Sequence, residues 1–365
     1  MLKYFSVSGY KNFDQPIELN FSDVHDYKFN KSCINDGLLG KVVIYEKYAV
    51  GKSNFARALC DVLYTWKKPS DNLMKNDCYL CVNSGCGFAK FRYVFQFGKN
   101  TVEYKYRKTA QKDLIYEKIL IDGDLLVEFD RERPHNVQAS GLMKLAPTLI
   151  MDFEKIDSIL GYIVSNTPLD ATHPLQRTAK FINSIVLDTS SVNIEWTSNH
   201  SLNFIAPNKG GVKEFEKLLQ MAGINERLTV IEDPTGKSML YFDTTPPLPF
   251  YYAASSGTKT LCSLFMLHQL ALAAKDPVLV ILDEFDAFYH YELAEYLVKK
   301  LVALPNVQVI FTTHNTALLS NRFLRPDCCF IMTKNKLTAF PNATKMELRE
   351  GHNLEKLFIG GEFDE

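Results

Sequence analysis

The chain has 365 residues, 46% of them hydrophobic, and a net charge of −1. That is enough apolar material for a large core and one to three domains, while the near-neutral balance excludes a global attraction to nucleic acid or to an anionic membrane. No apolar run approaches the roughly 20 residues that span a bilayer, and the start MLKYFSVSGYKNF lacks the apolar core of a signal peptide. Eight cysteines, unevenly spaced, point to reduced thiols in the cytoplasm rather than a disulfide scaffold.

Residues 1–45 read as strands. PIELNFS alternates Ile17, Leu19 and Phe21, and KVVIY is a short continuous apolar run, the pattern of a strand buried on both faces. Gly51-Lys52-Ser53 follows, and NFARALCDVLYTW then has helical spacing through Phe55, Leu59, Val62 and Leu63. Strand, turn and helix is the setting a phosphate-binding loop requires. Residues 87–130 read as an antiparallel meander, with FAKFRYVFQF and TVEYKYRK alternating and Asp122-Gly123 as a two-residue hairpin turn. Residues 131–235 read as a helical insert, with one helix through Ile156, Ile159, Leu160 and Ile163, one over PLQRTAKFINSIVL, and one over GVKEFEKLLQMAG stopped at Gly223. No heptad run is long enough for a coiled coil. Residues 236–365 return to strands alternating with helices, so the expected fold is α/β, with a mostly parallel core sheet covered on both faces.

Four segments carry chemistry. A phosphate loop reads G-x-x-x-x-G-K-[ST]; Gly51, Lys52 and Ser53 complete its end, but Glu46 stands where the first glycine belongs. PVLVILDEF is a buried strand ending in Asp283 and Glu284. An aspartate there can reach a magnesium ion held by Ser53 and the phosphates, and the glutamate after it can orient or deprotonate water. VQVIFTTHN sets His314 after a second buried strand, and parallel strand ends open to one edge, where ligands bind. ASSGTK opens an apolar helix with Ser255, Ser256 and Gly257, either a plain N-cap or a set of amides and hydroxyls offered to an anion.

The order of these segments resembles the ABC-type ATPase head in its SMC/RecF/OLD branch. FSVSGYKNF, IYEKYAVGKSNFARALCDV, SSGTK, LDEFDAFYH, FTTHNTALLS and the tail REGHNLEKLFIGG look like the AAA-annotated ATPases of bacterial abortive-infection and phage-defence operons. The resemblance implies a P-loop head made of 1–130 and 236–365, with an antiparallel β lobe and a short insert at 131–235. It implies ATP and Mg²⁺ as cofactors, with Gly51, Lys52, Ser53 and Asn54 on the nucleotide, Ser53 and Asp283 on the metal, Glu284 as catalytic base and His314 on the γ-phosphate. It also implies Ser255, Ser256 and Gly257 acting across a homodimer or higher oligomer, and a separately encoded effector, often a nuclease. Relatives usually read close to IYGKNASGKSN. Glu46, Tyr48 and Val50 depart from that pattern in the arch of the loop, where backbone amides cradle phosphates, so a weakened site is expected.

Two rival readings use the same residues. One is a non-hydrolysing scaffold with a degenerate loop that sequesters an effector or binds nucleic acid. The other is a transporter ATPase subunit, which the N-terminal strand pattern and the tail disfavour. Cys78, Cys81 and Cys86 could seed a zinc site but have no adjacent fourth ligand, so free thiols are the simpler reading. Lys105, Arg107 and Lys108 could contact a nucleic-acid backbone, though a solvated strand face explains them as well.

Overall fold

The computed structural model describes residues 1–46, 50–66, 78–111, 113–189, 209–232, 238–287 and 289–363. Tyr48, counted among the departures of the loop, lies outside the described residues. In chain order the N-terminal part supplies β1 (Leu2–Ser8), β2 (Ile17–Asn20), the small pair β3 (Ile34–Asn35) and β4 (Leu38–Leu39), then β5 (Lys41–Tyr45). Helices α1 (Lys52–Leu59) and α2 (Asp61–Trp66) follow. The meander is β6 (Ala89–Phe97), β7 (Asn100–Ala110), β8 (Asp113–Ile121) and β9 (Asp124–Asp130). The middle holds α3 (Ser140–Leu145), α4 (Ile159–Asn166), α5 (Pro174–Asn183), β10 (Val186–Thr189), α6 (Lys209–Met221) and β11 (Leu228–Glu232). The C-terminal part holds β12 (Ser238–Phe242), β13 (Leu248–Pro249), α7 (Phe250–Ala253), α8 (Ser256–Ala273), β14 (Val278–Asp283), α9 (Tyr291–Val302), β15 (Val307–Thr313), β16 (Cys329–Thr333), β17 (Lys336–Ala339) and α10 (Leu354–Ile359).

Two six-stranded sheets organise these elements. The lobe sheet runs β2-β1-β6-β7-β8-β9 and its pairings are all antiparallel. The core sheet runs β10-β14-β15-β5-β16-β17 and is parallel except for β17. The fold is thus α/β with a mostly parallel core and an antiparallel lobe, as the alternation of elements predicts. Every residue of β5 and β15 is buried, which is why both read as mainly apolar runs without alternation, their few polar members being Lys41, Gln308, Thr312 and Thr313.

Buried polar groups tie these elements together, and Gln308 joins the two sheets. Gln308 on β15 accepts from the Leu2 amide at 2.7 Å and donates to the Leu2 carbonyl at 2.7 Å. Lys41 is wholly buried and donates to the carbonyls of Leu304 and Val307, closing the end of β15. Asp61, at the start of α2, accepts from Tyr79 (2.9 Å), Tyr106 (2.8 Å) and Lys108 (2.8 Å).

Several expectations change here. The segment 131–235 is not only helical: β10 joins the core sheet beside β14, and β11 pairs with β12. The helix expected from Ile156 begins only at Ile159, because the Ser158 hydroxyl caps it by accepting from the Gly161 amide. The basic stretch on β7 is not a free face. Lys105 pairs with Glu103 and Arg107 with Asp130, while Lys108 follows Val102, Tyr104 and Tyr106 on the inward side of β7, where it meets Asp61. Among the described residues no group of three or more His, Cys, Asp or Glu side chains could hold a metal. Cys81 is buried while Cys78 and Cys86 are exposed, and all three are free thiols.

Candidate functional site

Three adjacent parallel strands, β14, β15 and β5, end at the same edge of the core sheet, and their ends carry Asp283, His314 and Glu46. Gly51 caps α1 with φ 117°, a conformation that side-chain-bearing residues rarely adopt, and a Cβ there would meet the Asn12 side chain at 2.6 Å. Lys52 is therefore the first residue of α1, with its ammonium at the helix N-terminus.

The Lys52 side chain is buried and fully engaged. Its Nζ lies 2.7 Å from Glu46 Oε1 and 2.8 Å from His314 Nε2. Glu46 is also buried, accepts from the Val50 amide through Oε2 at 3.1 Å, and lies 3.7 Å from His314. Burial pulls the Lys52 ammonium below the usual lysine range; Glu46 opposes this, as do Glu284 and Asp283 more weakly. His314 links the lysine to the acidic pair, since it contacts Lys52 and lines one cleft with Glu284.

The acids are held from β15. Thr312 donates to Asp283 Oδ1 at 2.6 Å and accepts from the Glu284 amide at 2.8 Å, so one hydroxyl fixes the first acid and orients the second. Glu284 has φ 51°, a left-handed backbone unusual outside glycine and frequent where a side chain is aimed for function. Thr313 donates to Asp286 at 2.8 Å and accepts from the Asn315 amide, which orders the turn bearing His314. Glu284, Asp286, Ala287, His314 and Asn315 line an open cleft.

The structure thus brings together Lys52, Asp283, Glu284 and His314, all named from the sequence. Ser255 behaves as an N-cap, accepting from the Thr258 amide at 3.2 Å, while Ser255 and Ser256 face solvent. Asn54 donates to Asn12 at 2.7 Å, and Asn12 donates to the Val50 carbonyl at 2.7 Å, so Asn54 braces the loop instead of facing it. Sequence reasoning missed Asn12, Thr312 and Asp286. Thr312 had a visible signal, a polar residue inside an apolar strand run.

Asp188 was missed as well. It sits on β10, next to β14, and shares a narrow pocket with Thr260, Asp283, Glu284 and Tyr289. Burial pushes its carboxyl up to about 7. The unfolded value is about 3.9, so between roughly pH 4 and 7 the folded chain holds more protons than the unfolded one, and stability falls as pH rises through that window. Asp188→Asn is expected to flatten this slope and to stabilise the chain above pH 7 by up to about 4 kcal/mol. Urea midpoints at pH 5 and pH 8 read it, and parallel slopes for the two proteins would show that Asp188 ionises as freely folded as unfolded.

Residues 165–320 match the family model described as "AAA domain, putative AbiEii toxin, Type IV TA system". The matched span contains Ser255, Ser256, Gly257, Asp283, Glu284 and His314 and leaves out the loop at 46–53. Among solved structures, the chain is similar to the SMC head bound to the C-winged helix domain of ScpA, at 14% identity over 93% of this chain and 97% of that one, with a TM-score of 0.46. It is similar to the SMC head domain from Thermotoga maritima, at 16% identity over 95% and 99%, with a TM-score of 0.43. A third similar structure is the recombination mediator protein RecF-ATPrS of the RecFOR pathway, at 14% identity over 93% and 98%, with a TM-score of 0.45. No curated protein matches the chain.

Proposed function

We propose that this chain, whose fold and motifs are those of an ABC-type ATPase head of the SMC/RecF/OLD-like kind, is a nucleotide-dependent switch that binds ATP and hydrolyses it slowly. The observation that carries this reading is the meeting of Lys52, Asp283, Glu284 and His314 at one sheet edge. Those side chains fit a polyphosphate with its metal: a buried cation at a helix N-terminus, and an aspartate whose Oδ1 is already tied to Thr312. Ser53 and Asp283 would hold Mg²⁺, which when bound neutralises phosphate charge and so favours departure of the leaving group.

The remaining roles belong to the chain's own residues. Lys52 binds phosphate oxygens, and α1 adds its N-terminal amides. Glu284, set by its backbone and by Thr312, orients a water and takes its proton. His314 contacts the terminal phosphate from the open side of the cleft. Ser255 and Ser256 are exposed at the start of α8 with half-buried Gly257 beside them, where they can close over nucleotide held by a second copy, so that ATP clamps two heads and hydrolysis releases them. The toxin–antitoxin wording of the matched family supports a place in phage defence, with a separately encoded effector such as a nuclease gated by the change in geometry.

A second reading, a scaffold with little turnover, is favoured by one observation: Glu46 already holds Lys52. The two are separated by comparing wild type with Glu284→Gln. A switch predicts phosphate release reduced at least about 100-fold in the variant, with ATP retained and dimers accumulating in light scattering. Equal release by both proteins, with no dimer formed on ATP, would leave the scaffold standing.

A further inference from the structure

In the loop, two donors of the kind that meet a phosphate, the lysine ammonium and a backbone amide, share one partner supplied by the chain. Lys52 Nζ is 2.7 Å from Glu46 Oε1, and the Val50 amide donates to Glu46 Oε2 at 3.1 Å. The carboxylate thus bridges the loop's cation and one of its arch amides with its two oxygens. A phosphate oxygen pair would engage the same two kinds of donor in a working loop. The carboxylate is not a bystander on the surface: the Glu46 and Lys52 side chains are 5% and 1% exposed. The other side of the Val50 peptide is fixed too, because Asn12 holds the Val50 carbonyl and is itself held by Asn54. Val50 is therefore held through both its amide and its carbonyl in the position that serves the carboxylate.

We infer that Glu46 is an internal stand-in for phosphate, a tethered anion that closes the nucleotide site in the resting chain and that an incoming polyphosphate must displace. The inference rests on the nucleotide reading above and adds regulation to it. A tethered carboxylate competes at high effective concentration, so it sets a threshold that a multiply charged ligand crosses and a singly charged one does not. Displacement also frees a buried charge that must find water, and the arch must release its hold on Val50. Binding and rearrangement of the loop are then one event.

The test is titration calorimetry of MgATP, and separately of inorganic pyrophosphate, against wild type, Glu46→Gln, Glu46→Gly and Glu46→Gln/Lys52→Ala. Glu46→Gln keeps the side-chain shape and an acceptor for the Val50 amide while removing the charge, and Glu46→Gly removes the competitor altogether. The expected result is binding of both ligands at least 10-fold tighter in the two single variants, with the gain lost in the double variant. Affinities equal to wild type in both single variants would overturn the inference while leaving the nucleotide reading intact. Tighter pyrophosphate without any MgATP binding would keep the inference and sink the nucleotide reading. No binding of either ligand by any variant would sink both.

Discussion

Lys52→Ala is expected to abolish nucleotide binding and, unlike the same change in a loop whose lysine faces water, to cost the folded state about 3–5 kcal/mol. The reason is the burial of its partner. Glu46 is 4% exposed, so removing the ammonium leaves a carboxylate sequestered with the Val50 amide and the more distant His314 as its remaining neighbours. Breaking one half of a buried pair is more costly than deleting both halves, because the desolvation of the survivor is no longer offset. The double change Glu46→Gln/Lys52→Ala should therefore recover most of the lost stability while still failing to bind nucleotide. Urea denaturation of the two single variants and the double variant measures the coupling. A Lys52→Ala protein as stable as wild type would mean that Glu46 swings out to solvent and that the pair contributes nothing to the loop.

Asp61→Ala should destabilise the chain by a similar amount, about 3–5 kcal/mol, with no direct effect on the nucleotide edge. Asp61 is the common acceptor for Tyr79, Tyr106 and Lys108, and Lys108 is 1% exposed. Its removal strands an ammonium between α2 and the lobe sheet together with two buried hydroxyls, each of which costs about 1–3 kcal/mol when left without a partner. These costs overlap and do not sum. Asp61→Asn should fall between alanine and wild type, since it keeps an acceptor for the tyrosines but not the charge. Replacing Asp61 and Lys108 together by leucine and methionine should recover much of the loss. A shift below about 0.5 kcal/mol for Asp61→Ala would place it among ordinary surface substitutions and show that the network carries no weight.

Much of the site was legible because its signals are local. Val42 to Tyr45 and Val307 to Thr313 are apolar runs too short for helices, and each ends at a residue with chemistry. The lobe was equally plain, since β6 and β7 alternate inward and outward residues over their lengths. The exceptions arose where a residue's neighbours, not its type, decide its role. β10 is four residues attached to the end of a helical pattern, too short for a period of two to distinguish it from the last turn of a helix. Lys108 shares the inward parity of Val102, Tyr104 and Tyr106, so alternation itself places it inside, and its charge hid that because a lysine is buried only with a partner such as Asp61. Glu46 reads in sequence as a departure that weakens the loop. Its identity permits that conclusion, but only its position shows that it holds Lys52 and the Val50 amide. Asp188 carries no motif of its own, and only its place on β10 beside β14 puts it next to the acidic pair.

β5 enters the core sheet between β15 and β16, strands encoded more than 260 residues downstream. During synthesis the N-terminal segment can form α1 and the meander early, but β5 then has neither of its neighbours. The edge that carries Lys52 stays unassembled until Val307–Thr333 has emerged. Contacts of such long sequence separation form late and slowly, because loop closure comes before any contact it enables. A nascent or truncated chain therefore offers a lysine at a helix end but no Thr312, no held Asp283 and no His314. The proposed competence to engage nucleotide would then arrive only with the finished head, and an incomplete product would not be armed.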